Sequence, residues 1–173
     1  MLFTLPGAPF VYYGDEIGMR YLPLPTKEGG YFRTGSRTPM QWDDSINGGF
    51  SAGTPWLSVN GNYPRINVKR QEDDPGSVLS YYRQLIAFRN GSRVLQEGDF
   101  TELYRKNGVY AYRRACDGEA LTIVISLAQG ERKNPASGEV VCSNYGRETA
   151  PARLAPYEAL ILREVVRRGS ISH

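Results

Sequence analysis

The first thirteen residues, MLFTLPGAPFVYY, are apolar almost without a break, and the inner run Ala8-Pro9-Phe10-Val11-Tyr12-Tyr13 lies between Gly7 and Gly14. A short continuous apolar stretch bounded by glycines predicts a strand buried on both faces, the kind found in parallel sheets. Two acids stand where that strand would end, in Gly14-Asp15-Glu16-Ile17-Gly18. From Met19 to about Val68 the order is lost. Glycine, proline, asparagine and aromatic residues follow one another with neither alternation nor a helical period, which predicts a long ordered loop of functional weight. Trp42, Phe50, Trp56 and Tyr63 are expected to pack that loop over a core, with both tryptophans buried in the packing. Asp74-Pro75 then predicts a helix start, the acid as N-cap and proline in the first turn. Val78, Tyr82, Leu85 and Ile86 supply one apolar face over 75–90, and Asn90-Gly91 ends it.

Beyond about residue 92 the period changes to two. Phe100–Tyr104, Val109–Arg113 and Leu121–Ile125 read as strands, separated by Lys106-Asn107-Gly108 and Asp117-Gly118-Glu119. Asn-Gly and Asp-Gly favour two-residue hairpins because both positions accept positive φ. Weaker strands follow at Glu139–Cys142 and Ala159–Leu162. Five or more short strands so spaced predict an antiparallel sandwich.

Composition narrows the function. The 173 residues are 40% hydrophobic, enough for a core, and Lys+Arg 21 against Asp+Glu 18 leaves only +3. Such a balance excludes a nucleic-acid footprint, and the one basic cluster, Arg163, Arg167 and Arg168, reads as a solvated terminus. No run approaches the ~20 apolar residues of a membrane span. Pro6 and Pro9 break the opening apolar run as a signal-peptide helix. Cys116 and Cys142 make no disulfide framework and no metal-ligand spacing. The single histidine is His173, so Ser-His-Asp triads, histidine general bases and paired-histidine zinc sites have nothing to be built from.

Two longer stretches carry a family likeness. LPGAPFVYYGDEIGM (Leu5–Met19) and GSRTPMQWDDSINGGFS (Gly35–Ser51) closely resemble glycoside hydrolase family 13, in its α-glucosidase and oligo-1,6-glucosidase branch. Pro55–Asn60, Asn62-Tyr63, Ile66–Val68, Ser77–Ile86 and Leu154–Ala159 continue the similarity in order through almost the whole chain. The resemblance implies a fold in two parts. Residues 1–92 would be a C-terminal remnant of a catalytic (β/α)₈ barrel: the last strand over 3–13, a long loop over 19–74, and the last helix over 75–90. Residues 93–173 would be the β-sandwich called domain C. A complete barrel typically needs ~250 residues.

The chemistry implied is hydrolysis with retention, one carboxylate attacking the anomeric carbon and another serving as acid and then base, about 5–5.5 Å apart. In the family that machinery comes from earlier strands and includes a His-Asp pair, which this chain lacks, so no catalytic residue carries over. The acids that are present do not replace it. Asp15 and Glu16 are sequence neighbours and point apart, as do Asp43 and Asp44. Substrate contact does carry over. Arg37 matches the arginine that binds hydroxyls of the terminal glucose unit, and Glu16 an acid at the pocket mouth. The alternative for Arg37 is a pair with Asp43 or Asp44; for Glu16 it is a cap or a bridge to Arg20 or Lys27.

The expectation is therefore the C-terminal portion of an α-glucosidase acting on α-linked gluco-oligosaccharides, needing no cofactor and no metal, inactive by itself. Its expected partners are the oligosaccharide and the missing N-terminal barrel portion, with no nucleic acid and no membrane. Self-association through the exposed N-terminal strand is a further expectation. The twenty or so residues between Gly14–Gly18 and Arg37–Trp42 are few for the oligo-1,6-glucosidase group, which leaves α-1,6 and α-1,4 linkages, hydrolysis and glucosyl transfer all open. Alternatives are a non-catalytic carbohydrate- or protein-binding module, whose sugar platform would use Tyr104, Tyr110 or Tyr112, and one half of a split enzyme. Compartment is unknown, with a lean to the cytoplasm.

Overall fold

A computed structural model describes residues 1–23 and 32–164. These form two compact units: Phe10–Ile86, and Met1–Pro9 together with the chain from Ala87 onward. The division therefore differs from a cut at residue 92, because the first nine residues pack with the C-terminal part.

In the first unit the elements are few: a 3₁₀ turn at Asp15–Ile17, two more at Phe32–Ser36 and Ile46–Gly49, a one-turn helix α1 (Val68–Gln71), and the start of α2 (Val78–Gly91). Its apolar core is small, made by Ile17, Met40 and Leu79 with Met19 and Val68 against them. Side-chain amides hold the rest. Gln41, fully buried, donates to Asn62 Oδ1 at 3.0 Å and to the Ile66 carbonyl. Asn67, also fully buried, caps α1 by accepting from Arg70 N at 2.8 Å and donates to Tyr63 O at 2.7 Å. Gln71 bridges Ile17 O and Leu79 N at 2.9 and 3.1 Å. An irregular loop has no ladder to satisfy its backbone, so amides that both donate and accept take that role.

α2 begins three residues later than Asp74-Pro75 predicts. Ser77 is the cap, its Oγ accepting from Ser80 N at 3.1 Å, while Asp74 instead closes a tight turn by accepting from Gly76 N at 2.8 Å. Both residues are good caps; the chain uses the one adjacent to the apolar face.

The second unit contains the helix α3 (Arg93–Glu97) and strands β1 (Asp99–Lys106), β2 (Val109–Cys116), β3 (Glu119–Ser126), β4 (Arg132–Lys133), β5 (Glu139–Ser143), β6 (Arg153–Leu154) and β7 (Ala159–Arg163). An antiparallel sheet has the order β1-β2-β3-β7-β5, and β4 pairs with β6 as a separate ribbon. Both hairpins turn as their dipeptides dictate, with positive φ at Asn107-Gly108 and at Asp117-Gly118. β3 is central and buried from Ala120 to Ser126, so both of its faces are covered. On one face Val109, Ala111, Val124, Leu160 and Leu162 meet Leu154 of the ribbon. α3 packs on β2 and β3.

Met1–Pro9 is not a strand. Thr4 and Leu5 both donate to Met1 O in a turn, at 2.9 and 3.2 Å. The carbonyls of Phe3, Leu5 and Gly7 are taken by the buried Arg89 guanidinium at 2.8, 3.2 and 2.6 Å. Arg114, buried, adds Thr4 O at 2.8 Å, and Thr4 Oγ1 meets the Tyr112 hydroxyl at 2.5 Å. A strand's hydrogen bonds belong to its neighbours. With no parallel strand beside it among the described residues, and with Pro6 and Pro9 lacking N–H groups, the segment uses arginine donors. Cys116 and Cys142 are not joined in a disulfide; His173, Arg167 and Arg168 lie outside the described residues.

Candidate functional site

Gly14 sits at φ +92, and a Cβ there would fall 2.6 Å from Met19 Sδ, so only glycine allows the chain to double back on Met19 at this point. The reversal aims the acids. Glu16 accepts from Gly14 N at 2.7 Å and Asp15 from Tyr12 N at 3.3 Å. Glu16 makes this backbone bond from inside the turn whose N-cap is Gly14, and no ion pair joins it to Arg20 among the described residues, while Lys27 lies outside them; one carboxylate oxygen is engaged and the group remains half-buried at a cleft wall.

Arg37 follows the turn Phe32–Ser36, its N–H bonded to Thr34 O at 3.0 Å. It is exposed, and among the described residues its guanidinium makes no ion pair and no hydrogen bond. The pairing with Asp43 or Asp44 is absent because Asp43 is taken: its Oδ1 accepts from Ser45 N at 2.8 Å and from Ser45 Oγ at 2.5 Å. Those two bonds, with Lys69 nearby, hold the Asp43 carboxyl below its ordinary range. That is the wrong direction for a group meant to donate a proton at neutral pH. Tyr13 stands near Arg37 and donates to Thr38 O at 3.1 Å; burial chiefly, then Tyr12, raises its phenol, and the Arg37 charge opposes the rise.

Arg37 and Glu16 line one open cleft of about 420 Å³ together with Tyr13, Trp42, Phe50 and Trp56. The two tryptophans are not buried packing: Trp42 is 50% and Trp56 64% exposed. The loop does not need their rings, because its backbone is fixed by polar bonds. Trp42 N and Asp43 N both donate to Gly48 O, at 2.8 and 3.2 Å, and Lys69 N donates to Trp42 O at 2.9 Å. A dense run of aromatics without periodicity was the only sequence signal for this lining. Of the three tyrosines weighed as a sugar platform, Tyr112 is unavailable, while Tyr104 and Tyr110 are half-buried. Tyr112 has no exposed surface and Tyr104 packs on the core. A second opening, of about 380 Å³ beside α3 in the sheet unit, is lined by Arg93, Arg163 and Glu164, which are already in ion pairs.

Among the described residues no three histidine, cysteine or acidic side chains gather as a metal site would require, and no helix is long and apolar enough to cross a membrane. The cleft offers one cation, one anion and aromatic surface: recognition groups, without the facing carboxylates of glycosyl transfer.

Residues 1–98 match the family model "Alpha amylase, catalytic domain". The chain belongs to the alpha-amylase family. Its relatives in the family include an oligo-1,6-glucosidase of Parageobacillus thermoglucosidasius, 32% identical over 206 residues that cover 94% of this chain and 36% of that protein. The human amino acid transporter heavy chain SLC3A1 is 37% identical over 134 residues, covering 76% of this chain and 20% of that protein. Among solved structures, a variant of MutB in complex with the substrate sucrose superposes with a TM-score of 0.84 at 32% identity, covering 94% of this chain and 36% of that one. This alpha-amylase family chain thus spans about 36% of the length of the glucosidases it matches.

Proposed function

We propose that this chain is the C-terminal part of a retaining α-glucosidase that acts on α-linked gluco-oligosaccharides. Residues 1–92 are assigned to the end of the catalytic barrel and 93–173 to domain C, and the missing N-terminal barrel portion is the partner that supplies the catalytic carboxylates. The observation that carries the reading is Arg37, a guanidinium with no protein partner among the described residues, placed in one cleft with Glu16 inside the stretch that matches the catalytic-domain model. Five donors in a fixed fork suit the vicinal hydroxyls of a terminal glucose. Glu16, anchored by Gly14 N, contacts the neighbouring unit at the mouth. By itself the chain has no acid–base pair and turns nothing over.

The test joins this chain to the N-terminal portion of the Parageobacillus oligo-1,6-glucosidase, replacing that enzyme's matched segment. The chimera is expected to release glucose from isomaltose or maltose, and Arg37→Ala to lower kcat/KM by about a hundredfold, the loss of two or so hydrogen bonds to substrate. Turnover by this chain without the added portion would refute the inactivity; an active chimera indifferent to Arg37→Ala would refute the site.

A second reading has its own observation. The relative of highest identity given above is named a transporter heavy chain, so a non-catalytic, partner-binding role is the alternative. In that case a folded chimera would bind no glucoside and hydrolyse none.

A further inference from the structure

Four asparagines are followed by glycine: Asn47, Asn60, Asn90 and Asn107. Such a pair is chemically labile, because the deprotonated glycine nitrogen can attack the asparagine side-chain Cγ and expel ammonia. Glycine is the most permissive follower, having no Cβ to obstruct the approach. The structure treats the four pairs differently. At Asn47 both participants are held: Nδ2 donates to the carbonyls of Ser51 and Gly53 at 2.8 and 2.9 Å, and Gly48 N donates to Ser45 O at 2.9 Å. At Asn60 the amide is engaged at both ends, Nδ2 with Arg20 O and Oδ1 with Asn62 N, each at 3.2 Å. At Asn90 the following Gly91 still belongs to α2, whose helical ladder takes up its N–H. Asn107 has none of these restraints. It is exposed at the β1–β2 turn, and among the described residues its side-chain amide makes no hydrogen bond. Lys106 pairs with Val109 across the turn, so the Gly108 N–H lies in the two-residue loop, outside the ladder.

We propose that Asn107-Gly108 is a self-modification site, deamidated in water and activated by Arg132. Arg132 Nε donates to Asn107 O at 2.9 Å. That oxygen belongs to the peptide group whose nitrogen is Gly108 N. When the nitrogen loses its proton, resonance carries the negative charge on to the oxygen, where the guanidinium meets it with a charge-assisted hydrogen bond. The steps balance with water alone. Hydroxide removes the Gly108 amide proton, and the nitrogen bonds to Asn107 Cγ. The Cγ–Nδ2 bond then breaks, and Nδ2 takes a proton from water and leaves as ammonia. Water opens the resulting five-membered imide. Opening at the side-chain carbonyl leaves an aspartyl residue at position 107; opening at the backbone carbonyl leaves an isoaspartyl one. Either product lowers the formal net charge of +3 by one and sets a carboxylate in the turn that Arg132 contacts. The isoaspartyl form also adds a backbone atom to the loop that sets Lys106 opposite Val109, so it works against the register of the hairpin. None of this depends on the α-glucosidase reading.

The test incubates the whole chain at mildly alkaline pH, with and without urea, and follows each asparagine by peptide mapping and isoaspartyl methylation. In the folded chain position 107 is expected to lose its amide about tenfold faster than positions 47, 60 and 90, and in urea the four rates should converge. Arg132→Ala should slow position 107 about tenfold, and Arg132→Lys, which keeps a cation there, should slow it less. Base-catalysed hydrogen exchange at Gly108 removes the same proton, so it measures the acidity of that N–H. It should fall by a similar factor in Arg132→Ala, whereas mere loosening of the hairpin would not lower it. Faster loss at position 47, 60 or 90, in chain with native far-UV circular dichroism, overturns the site. An unchanged rate at position 107 in Arg132→Ala, or Gly108 exchange that does not fall, overturns the activation by Arg132.

Discussion

The two units bury their backbones by different means. In the sheet unit a ladder satisfies the N–H and C=O groups, leaving side chains to close an apolar core against a central strand with no exposed residue from Ala120 to Ser126. Among the described residues of Phe10–Ile86 there is no ladder. Gln41, Asn67, Gln71 and Ser77 supplement scattered backbone bonds, three hydrophobic residues form the buried core among the described residues, and large apolar side chains such as Phe10, Ile46 and Trp56 face solvent. A ladder is indifferent to which residues it joins and leaves side chains for packing. Amide stitching consumes particular side chains at particular places and frees the aromatics. The unit with the larger apolar core is thus not the unit whose cleft carries the exposed aromatics.

Core truncation should separate the units most sharply. Leu160→Ala removes a fully buried side chain from the face shared with Val124 and Leu154 and should cost about 3 kcal/mol. Denaturation followed by far-UV circular dichroism measures it. Hydrogen exchange on the intact chain is expected to show slow amides in β2, β3 and β7 and faster ones through residues 38–66, opening in separate steps. Equal protection across both would remove the distinction drawn here.

Next in size is an alkaline transition confined to the sheet unit. Burial pushes the Tyr112 phenol from 10.0 up to about 12, the Thr4 hydrogen bond opposing it. The folded value exceeds the unfolded one, so the stabilisation is complete below about pH 10 and is lost as pH rises through 12. The full effect is on the order of 2–3 kcal/mol. Tyr112→Phe should flatten that limb in stability measured between pH 9 and 12; an unchanged limb would show that Tyr112 does not report the transition. Smaller again, Asn67→Ala strips the cap of α1 and leaves Tyr63 O without its donor, costing about 2 kcal/mol locally. Tryptophan emission should register this change while the β-sheet circular dichroism stays constant.

Sequence legibility follows the same division. The five strands of the sheet and both hairpins were readable because alternation and Asn-Gly or Asp-Gly turns are local rules, whereas the two-residue strands β4 and β6 are too short to show a period. The start of α2 was misplaced by three residues, since Asp74 and Ser77 are both competent caps and only packing chooses between them. The opening strand was misread for a deeper reason: MLFTLPGAPFVYY has a strand's composition, yet pairing depends on neighbours, and here Arg89 and Arg114 supply the donors instead. Nothing in the sequence marks those two arginines for burial. Arg37 and Glu16 were singled out as candidates by family likeness alone, and both line one cleft. The tryptophans were assigned to packing because that is their common fate; exposure depends on whether other groups already hold the loop, which no single-residue rule encodes.

The smallest stability effect is expected where the ring is largest. Trp56 lines the cleft but leaves 64% of its surface in water, so Trp56→Ala removes little buried area and should change folding stability by about 0.5 kcal/mol or less. If the ring were a packing element of the loop, the same substitution would cost about 3–5 kcal/mol, the range for a buried tryptophan. The two outcomes differ by several degrees in melting temperature, well within calorimetric resolution. A small value would mean that Asn47, Gly48 and Lys69 hold the loop without help from the indole, leaving the ring's selection to something it binds. A large value would return the cleft to the list of ordinary loop contacts and remove the contrast between the unit that packs and the unit that presents.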